Sequence, residues 1–270
     1  MDLHTVESVS QPASSSQIPE WQEGDTPLAG GTWLFSEPQD SLRRLVDLAG
    51  LGWGGLEVTP GGLRIGATCT LGRLAAFDAP GGWRAAALFP ACCNALVGSF
   101  KVLAVATVGG NLCLALPAAP MAALAVALDG VCTLWSAAGE RQVAASGFIT
   151  GPRATVLRPG ELLRCLELPL AALARRAAYR RLSLTPLGRS GALLIGTAGD
   201  GFALTVTGSI RAPLRLDFPA IPGAAELGRA VAAIPEAAIY DDVHGRPAWR
   251  RHVTGLLAEE IRAELEAAWI

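Results

Sequence analysis

Charge is scarce in this chain. Asp, Glu, Lys and Arg make up 17% of its 270 residues, against roughly 25% in an average soluble domain, and Lys101 is the only lysine. The 22 basic and 24 acidic residues leave a formal net charge of -2, so no broad attraction to nucleic acid is expected. A surface this poor in charge fits a chain partly covered by other subunits, and equally fits a small alanine-rich globular protein. Metal-ligand patterns are missing too. His4, His244 and His252 form no HExxH or Cys/His zinc pattern, and the six cysteines (Cys69, Cys92, Cys93, Cys113, Cys132, Cys165) contain no CxxC pair, which argues against a metal or iron–sulfur centre in this chain. In the absence of a basic segment followed by an apolar one at the start, a cytoplasmic location is expected, with the cysteines as small buried apolar residues.

A spanning helix is excluded as well. No residue between Lys101 and Asp129 is charged, yet Gly109-Gly110-Asn111, Pro117 and Pro120 interrupt the run, and lipid could not satisfy the irregular backbone they impose.

At 51% hydrophobic residues the chain can bury large cores in two or three units. Its patterns mix helix and strand, an α+β class. A strand is predicted at 27–29, a turn at Gly30-Gly31, and a helix over 41–48 with Leu42, Leu45, Val46 and Ala49 on one face. Strands at 56–59 and 63–66 flank Pro60-Gly61-Gly62, which has hairpin chemistry. Helical spacing returns at 71–77 and 83–96, then a Gly-rich loop over 107–111 and an apolar helix near 121–128. Strands follow at 131–135 and 162–168, the second after the Pro159-Gly160 turn, and Pro169 closes this region. A hairpin is predicted at 192–197 and 202–207 around Gly199-Asp200-Gly201. The last helix starts near Ala248, with Val253, Leu257, Ile261 and Leu265 in a stripe that must dock on something, most simply the preceding sheet.

Glycine pairs carry the chemistry. Gly50-Leu51-Gly52-Trp53-Gly54-Gly55 satisfies GxGxxG, but dinucleotide binding needs a strand before and a helix after it. A helix is predicted before it and a strand after, so it is a turn. Leu28-Ala29-Gly30-Gly31-Thr32-Trp33-Leu34 is more informative: an apolar strand ending in two glycines frees successive backbone N–H groups that can hold a diphosphate without lysine. Thr107-Val108-Gly109-Gly110-Asn111 offers a hydroxyl, two unobstructed amides and a side-chain amide, although Asn111 could equally cap a turn. Two such loops suit a ligand with two phosphates and a long polar linker.

The strings LAGGTWLF, IGATCTLGRL, ATVGGNLCLALP and PGELLRCLELP, in this order and spacing, resemble the FAD-binding subunit of molybdenum hydroxylases, the family of xanthine dehydrogenase and carbon monoxide dehydrogenase flavoproteins. PAWRRHVTGLL resembles that family's last helix, so the likeness runs from Pro27 to the end. It implies a vanillyl-alcohol-oxidase-type (PCMH-type) two-part FAD-binding domain over residues 1–169, with parts of about 1–55 and 56–169. A smaller α+β domain of the CO-dehydrogenase flavoprotein type would follow over 170–270. By the same resemblance, Leu28 to Leu34 would wrap the FAD pyrophosphate, Thr107 to Asn111 would contact phosphate and ribityl oxygens, Leu163 would pack near the flavin, and Arg181 would be a basic residue near the cofactor. Pro120 departs from the family, which commonly has an acid there. The implied role is electron transfer from 2Fe–2S clusters to NAD, oxygen or another acceptor, with no catalytic side chain of its own. The implied partners are a molybdenum-cofactor large subunit and a 2Fe–2S subunit, possibly fused, in a dimer of heteromers. Two alternatives are a stand-alone FAD-dependent reductase and a non-enzymatic assembly subunit with weakened flavin binding.

Overall fold

A computed structural model describes residues 3–267, along which three main β-sheets follow one another. The first contains β1 (Ser8–Ser10), β2 (Asp25–Leu28) and β3 (Arg44–Asp47), all parallel, with β3 in the centre. Here the structure corrects the helix predicted over 41–48. Leu45 and Val46 are both buried, as a central strand requires, and so short an apolar run cannot distinguish strand from helix by periodicity. The strand ends where the Asp47 carboxylate accepts a hydrogen bond from the Ala49 amide (3.0 Å) and starts a short 3-10 turn. GxGxxG is therefore preceded by a strand, not a helix, but β4 (Leu56–Thr59) follows it and no helix does. It still lacks the geometry for a dinucleotide.

The second sheet is antiparallel. It runs β4, β5 (Gly62–Gly66), β10 (Leu162–Pro169), β6 (Val131–Ser136) and β7 (Gly139–Ala144) across its width. Between β5 and β6 lie α1 (Leu71–Ala75), α2 (Leu88–Asn94), α3 (Phe100–Val105), α4 (Val108–Leu114) and α5 (Pro120–Ala127). Between β7 and β10 lie α6 (Ala145–Phe148) and a small hairpin of β8 (Ile149–Gly151) and β9 (Ala154–Thr155). Every residue of α5 is buried. The C-terminal part of the charge-free run is thus an internal helix, packed between α2 and α4 on one side and the third sheet on the other. Among the described residues no helix is long and apolar enough to cross a membrane.

After α7 (Leu170–Leu173), the third sheet is a meander of β11 (Arg176–Leu182), β12 (Ala192–Ala198), β13 (Phe202–Thr207) and β14 (Leu214–Phe218), followed by α8 (Ala224–Ala232) and α9 (Pro247–Ala267). One face receives the Val253, Leu257, Ile261 and Leu265 stripe of α9, as predicted, and the other packs on α5. Arg250 of α9 is fully buried. Its guanidinium donates to the carbonyls of Gly191 (2.9 Å), Gly245 (2.8 Å) and Gly208 and pairs with Asp242, so one cation fastens one end of the β12–β13 pair to the loop before α9. Those strands deliver Arg189 and Ser190 to the site described next.

Candidate functional site

A cavity of about 490 Å³ opens where the three sheets meet, within the usual range for small-molecule and cofactor sites. Its walls come from the 26–36 segment, from the turn after β5, from α3 and α4 and the approach to α5, from the start of β10, and from Arg189 and Ser190.

The first glycine pair leaves β2 and turns across one wall. Gly30 lies so close to the end of α3 that a Cβ would sit 1.9 Å from the Val105 carbonyl oxygen. Gly31 has φ +67, in the left-handed region that favours glycine. The turn closes with Phe35 N–H donating to the Gly31 carbonyl and Ser36 N–H to that of Trp33, both at 2.9 Å. The five amides from Gly30 to Leu34 donate to no acceptor among the described residues. A row of unpaired N–H groups beside a cavity is a concave anion site. Ala29, Gly30, Gly31, Thr32, Trp33 and Leu34 all line the cavity; Leu28, the last residue of β2, does not.

The second pair has a different fate. Thr107 is the N-cap of α4, so the expected loop over 107–111 is the first turn of a helix. The Val108 amide donates to Cys69 O (2.9 Å), Gly109 to Ala67 O (2.8 Å), and Asn111 to Thr107 O (3.0 Å), while Gly110 donates to Thr107 Oγ1 (3.0 Å). The unobstructed amides expected here are consumed by the fold. Gly109 is needed for close approach, since a Cβ would lie 2.7 Å from both the Cβ and the carbonyl oxygen of Ala67. Val108 is buried and faces away from the cavity, whereas Thr107, Gly109, Gly110 and Asn111 line it. Asn111 Oδ1 accepts from the Met121 amide (3.0 Å). It therefore caps α5, whose first residue, Pro120, has no N–H to satisfy.

Leu163 is buried and lines the cavity, at a register shift between β10 and β6. Arg181 does not line it. Its guanidinium donates to Ser190 Oγ (2.7 Å) and to the Gly188 carbonyl, gripping the chain on both sides of Arg189, which does line the cavity. Sequence reasoning missed Arg189, because nothing local to it reports what the distant Trp33 brings near. It also missed Glu161, whose carboxylate accepts two bonds from Arg141 (2.7 and 2.6 Å) and one from the Arg158 amide (2.8 Å). The Arg141 guanidinium holds its pKa down to about 2. Cys113, also in the lining, has its thiol pushed up to about 12 by burial. With Glu161 locked as a paired carboxylate, Cys113 a neutral thiol, and no histidine, lysine, tyrosine or aspartate in the lining, no group is poised to exchange protons near neutral pH. The arrangement suits holding a large ligand that brings its own chemistry. Among the described residues no group of side chains could hold a metal ion.

Comparison with known proteins points the same way. Residues 4–171 match a family model described as the FAD binding domain in molybdopterin dehydrogenase. The glyceraldehyde dehydrogenase medium chain of Sulfolobus acidocaldarius is 36% identical over 74 residues, a match spanning 27% of this chain and only 26% of that protein. The fold is shared with quinoline 2-oxidoreductase from Pseudomonas putida 86 (TM-score 0.81, 19% identity, covering 100% of both chains). It is shared equally with CO dehydrogenase from Oligotropha carboxidovorans (TM-score 0.82, 24% identity, covering 97% of this chain and 99% of that one).

Proposed function

Because this chain belongs to the family of FAD-binding domains in molybdopterin dehydrogenases, we propose that it is the FAD-carrying electron-transfer subunit of a molybdenum hydroxylase complex. Its α+β architecture is the vanillyl-alcohol-oxidase type. The observation that carries the proposal is the row of five unpaired amides from Gly30 to Leu34 on the cavity wall. These residues fit a diphosphate ester: the N–H groups offer partial positive charge and Thr32 adds a hydroxyl donor. Asn111, with its oxygen held by Met121, can turn its Nδ2 hydrogens toward a ligand, and Leu163 offers an apolar contact. FAD, when bound, supplies the redox chemistry, accepting electrons from 2Fe–2S clusters and passing them to NAD, oxygen or another acceptor. The chain's own residues bind, orient and keep water out. The partners are a molybdenum-cofactor large subunit and a 2Fe–2S subunit, possibly fused, arranged as a dimer of heteromers.

The test is absorbance and anaerobic reduction. Chain purified with its complex should be yellow, with one FAD per copy. The substrate of the molybdenum subunit should bleach it in the complex but not in the isolated chain. Direct reduction of the isolated chain by NADH with turnover of a small substrate would favour the stand-alone reductase. One observation favours an assembly subunit with weakened flavin binding: the amides of the second glycine pair are already bonded within the fold. A colourless chain that FAD cannot reconstitute would decide for it.

A further inference from the structure

The bonded amides of the second glycine pair leave a charge question open. A diphosphate ester carries two negative charges, and the Gly30–Leu34 row offers only partial positive ones. We infer that Arg153 and Arg189 supply the missing cationic half of the site, Arg189 from the cavity wall and Arg153 from just outside it, both over Trp33 at the amide row. This rests on the FAD reading above.

Five observations carry it. Both guanidinium carbons lie over the Trp33 ring, at 5.6 Å for Arg153 and 5.7 Å for Arg189, and Trp33 belongs to the amide row. The two cations come from separate parts of the chain, the β8–β9 turn and the segment before β12, and converge on one indole. Arg189 is the one arginine in the cavity lining.

Neither arginine has a carboxylate partner among the described residues, whereas Arg44, Arg64, Arg141, Arg164, Arg175, Arg180, Arg215, Arg250 and Arg262 all do. Two like charges held beside one ring repel, and a dianion between them reverses the sign of that interaction.

Both are also aimed. Arg153 has φ +58, unusual for a side-chain-bearing residue, and is pinned there by its amide bonding to Ala115 O (2.9 Å) at the end of α4. Arg189 is fixed from both flanks by Arg181, through Gly188 and Ser190. Arg181 is thus a positioning residue, acting on the ligand through Arg189.

The experiment is a titration of FAD into the full chain, from low to high ionic strength. It compares wild type with the Arg153→Gln/Arg189→Gln and Arg153→Lys/Arg189→Lys variants. Both arginines are solvent-exposed, so the folds should survive, and circular dichroism checks this. Removing two charge-assisted contacts should weaken FAD binding by about tenfold or more at low salt and flatten its salt dependence. The lysine pair, keeping the charge, should keep the salt slope. If the wild-type chain binds FAD and the glutamine pair binds it with the same affinity and the same slope, the inference is overturned. Weaker binding with an unchanged slope also overturns it, since that assigns the arginines to packing. A wild-type chain that takes up no FAD sinks the underlying reading, and this one with it.

Discussion

The two glycine pairs of this chain share letters and cavity, but not a physical role. In Leu28–Leu34 the chain leaves a sheet edge, and the amides from Gly30 to Leu34 line the cavity with no acceptor among the described residues. In Thr107–Asn111 the chain enters a helix, and every amide from Val108 to Asn111 has an acceptor, two of them on the 67–69 turn. A glycine pair gives backbone room, but whether the room serves a ligand or a neighbouring strand depends on where the amides point. On the proposed reading the first pair binds the ligand, while the second builds the wall and offers side chains. Each half of that contrast can be broken experimentally.

The largest effect is expected at Gly31. Gly31→Asp places a carboxylate beside the unpaired amides, where it should compete with and repel a diphosphate. Gly52 is a control for backbone strain, about 1–2 kcal/mol, since its φ is +70 against +67 at Gly31, although a Cβ at Gly31 also meets the Phe35 ring at 2.5 Å. Gly52 lies outside the cavity and a Cβ there meets nothing within 4 Å. Gly31→Asp should lose FAD by about 100-fold or more, while Gly52→Asp keeps it, read as bound flavin per chain. Equal loss in both would assign the effect to strain and remove the amide row from the site.

Next is the contrast inside the second pair. Gly109→Ala drives a methyl into Ala67 and should cost about 1–3 kcal/mol in denaturant unfolding. Gly110→Ala meets only Thr107 Oγ1, at 2.8 Å, so its stability should stay within about 1 kcal/mol of wild type. Its added methyl should instead lower FAD affinity. A stable Gly109→Ala protein would mean that the contact with the 67–69 turn is not what requires glycine.

These contrasts show what was legible. Hairpins with their own turn chemistry, such as 56–66 and 192–207, and the four-residue stripe of α9 could be read from pattern, because local periodicity and burial agree there. β3 could not, because a four-residue buried strand in a parallel sheet carries no alternation and its neighbours β1 and β2 are distant in sequence. At the site, glycine pairs and Leu163 stood out as motifs. The bonding state of the amides did not, since the acceptors for Val108 and Gly109 lie some forty residues earlier, on Cys69 and Ala67. Arg189 was invisible for the same reason, and the nearer-looking Arg181 serves it from behind.

A smaller effect is expected at Asn111. Asn111→Ala removes the acceptor for the Met121 amide and should cost about 1 kcal/mol, a typical loss for a helix N-cap. Asn111→Asp keeps that acceptor and should recover most of the stability, measured by thermal or denaturant midpoints. If alanine and aspartate are equally destabilised, Asn111 is not capping α5.

The smallest effect is a pH dependence at Glu161. Its folded pKa, about 2, lies below the ordinary value of 4.5 because Arg141 and the Arg158 amide bind the carboxylate form. A depressed pKa stabilises the fold above the unfolded value and loses that contribution as protons bind the native carboxylate. The contribution is therefore complete above about 4.5 and fades between about 4.5 and 2. Arg141 is 31% exposed, so solvent screens the pair and its worth is modest. Glu161→Gln should lower the unfolding midpoint near neutral pH, and its gap from wild type should narrow as pH falls through that window. Because Glu161 stands two residues before Leu163 in the cavity wall, the same variant probes whether the pair also shapes the site, by comparing its FAD affinity with wild type at neutral pH. A gap that stays constant down to about pH 2 would mean that the Arg141 pairing contributes nothing that protonation can remove.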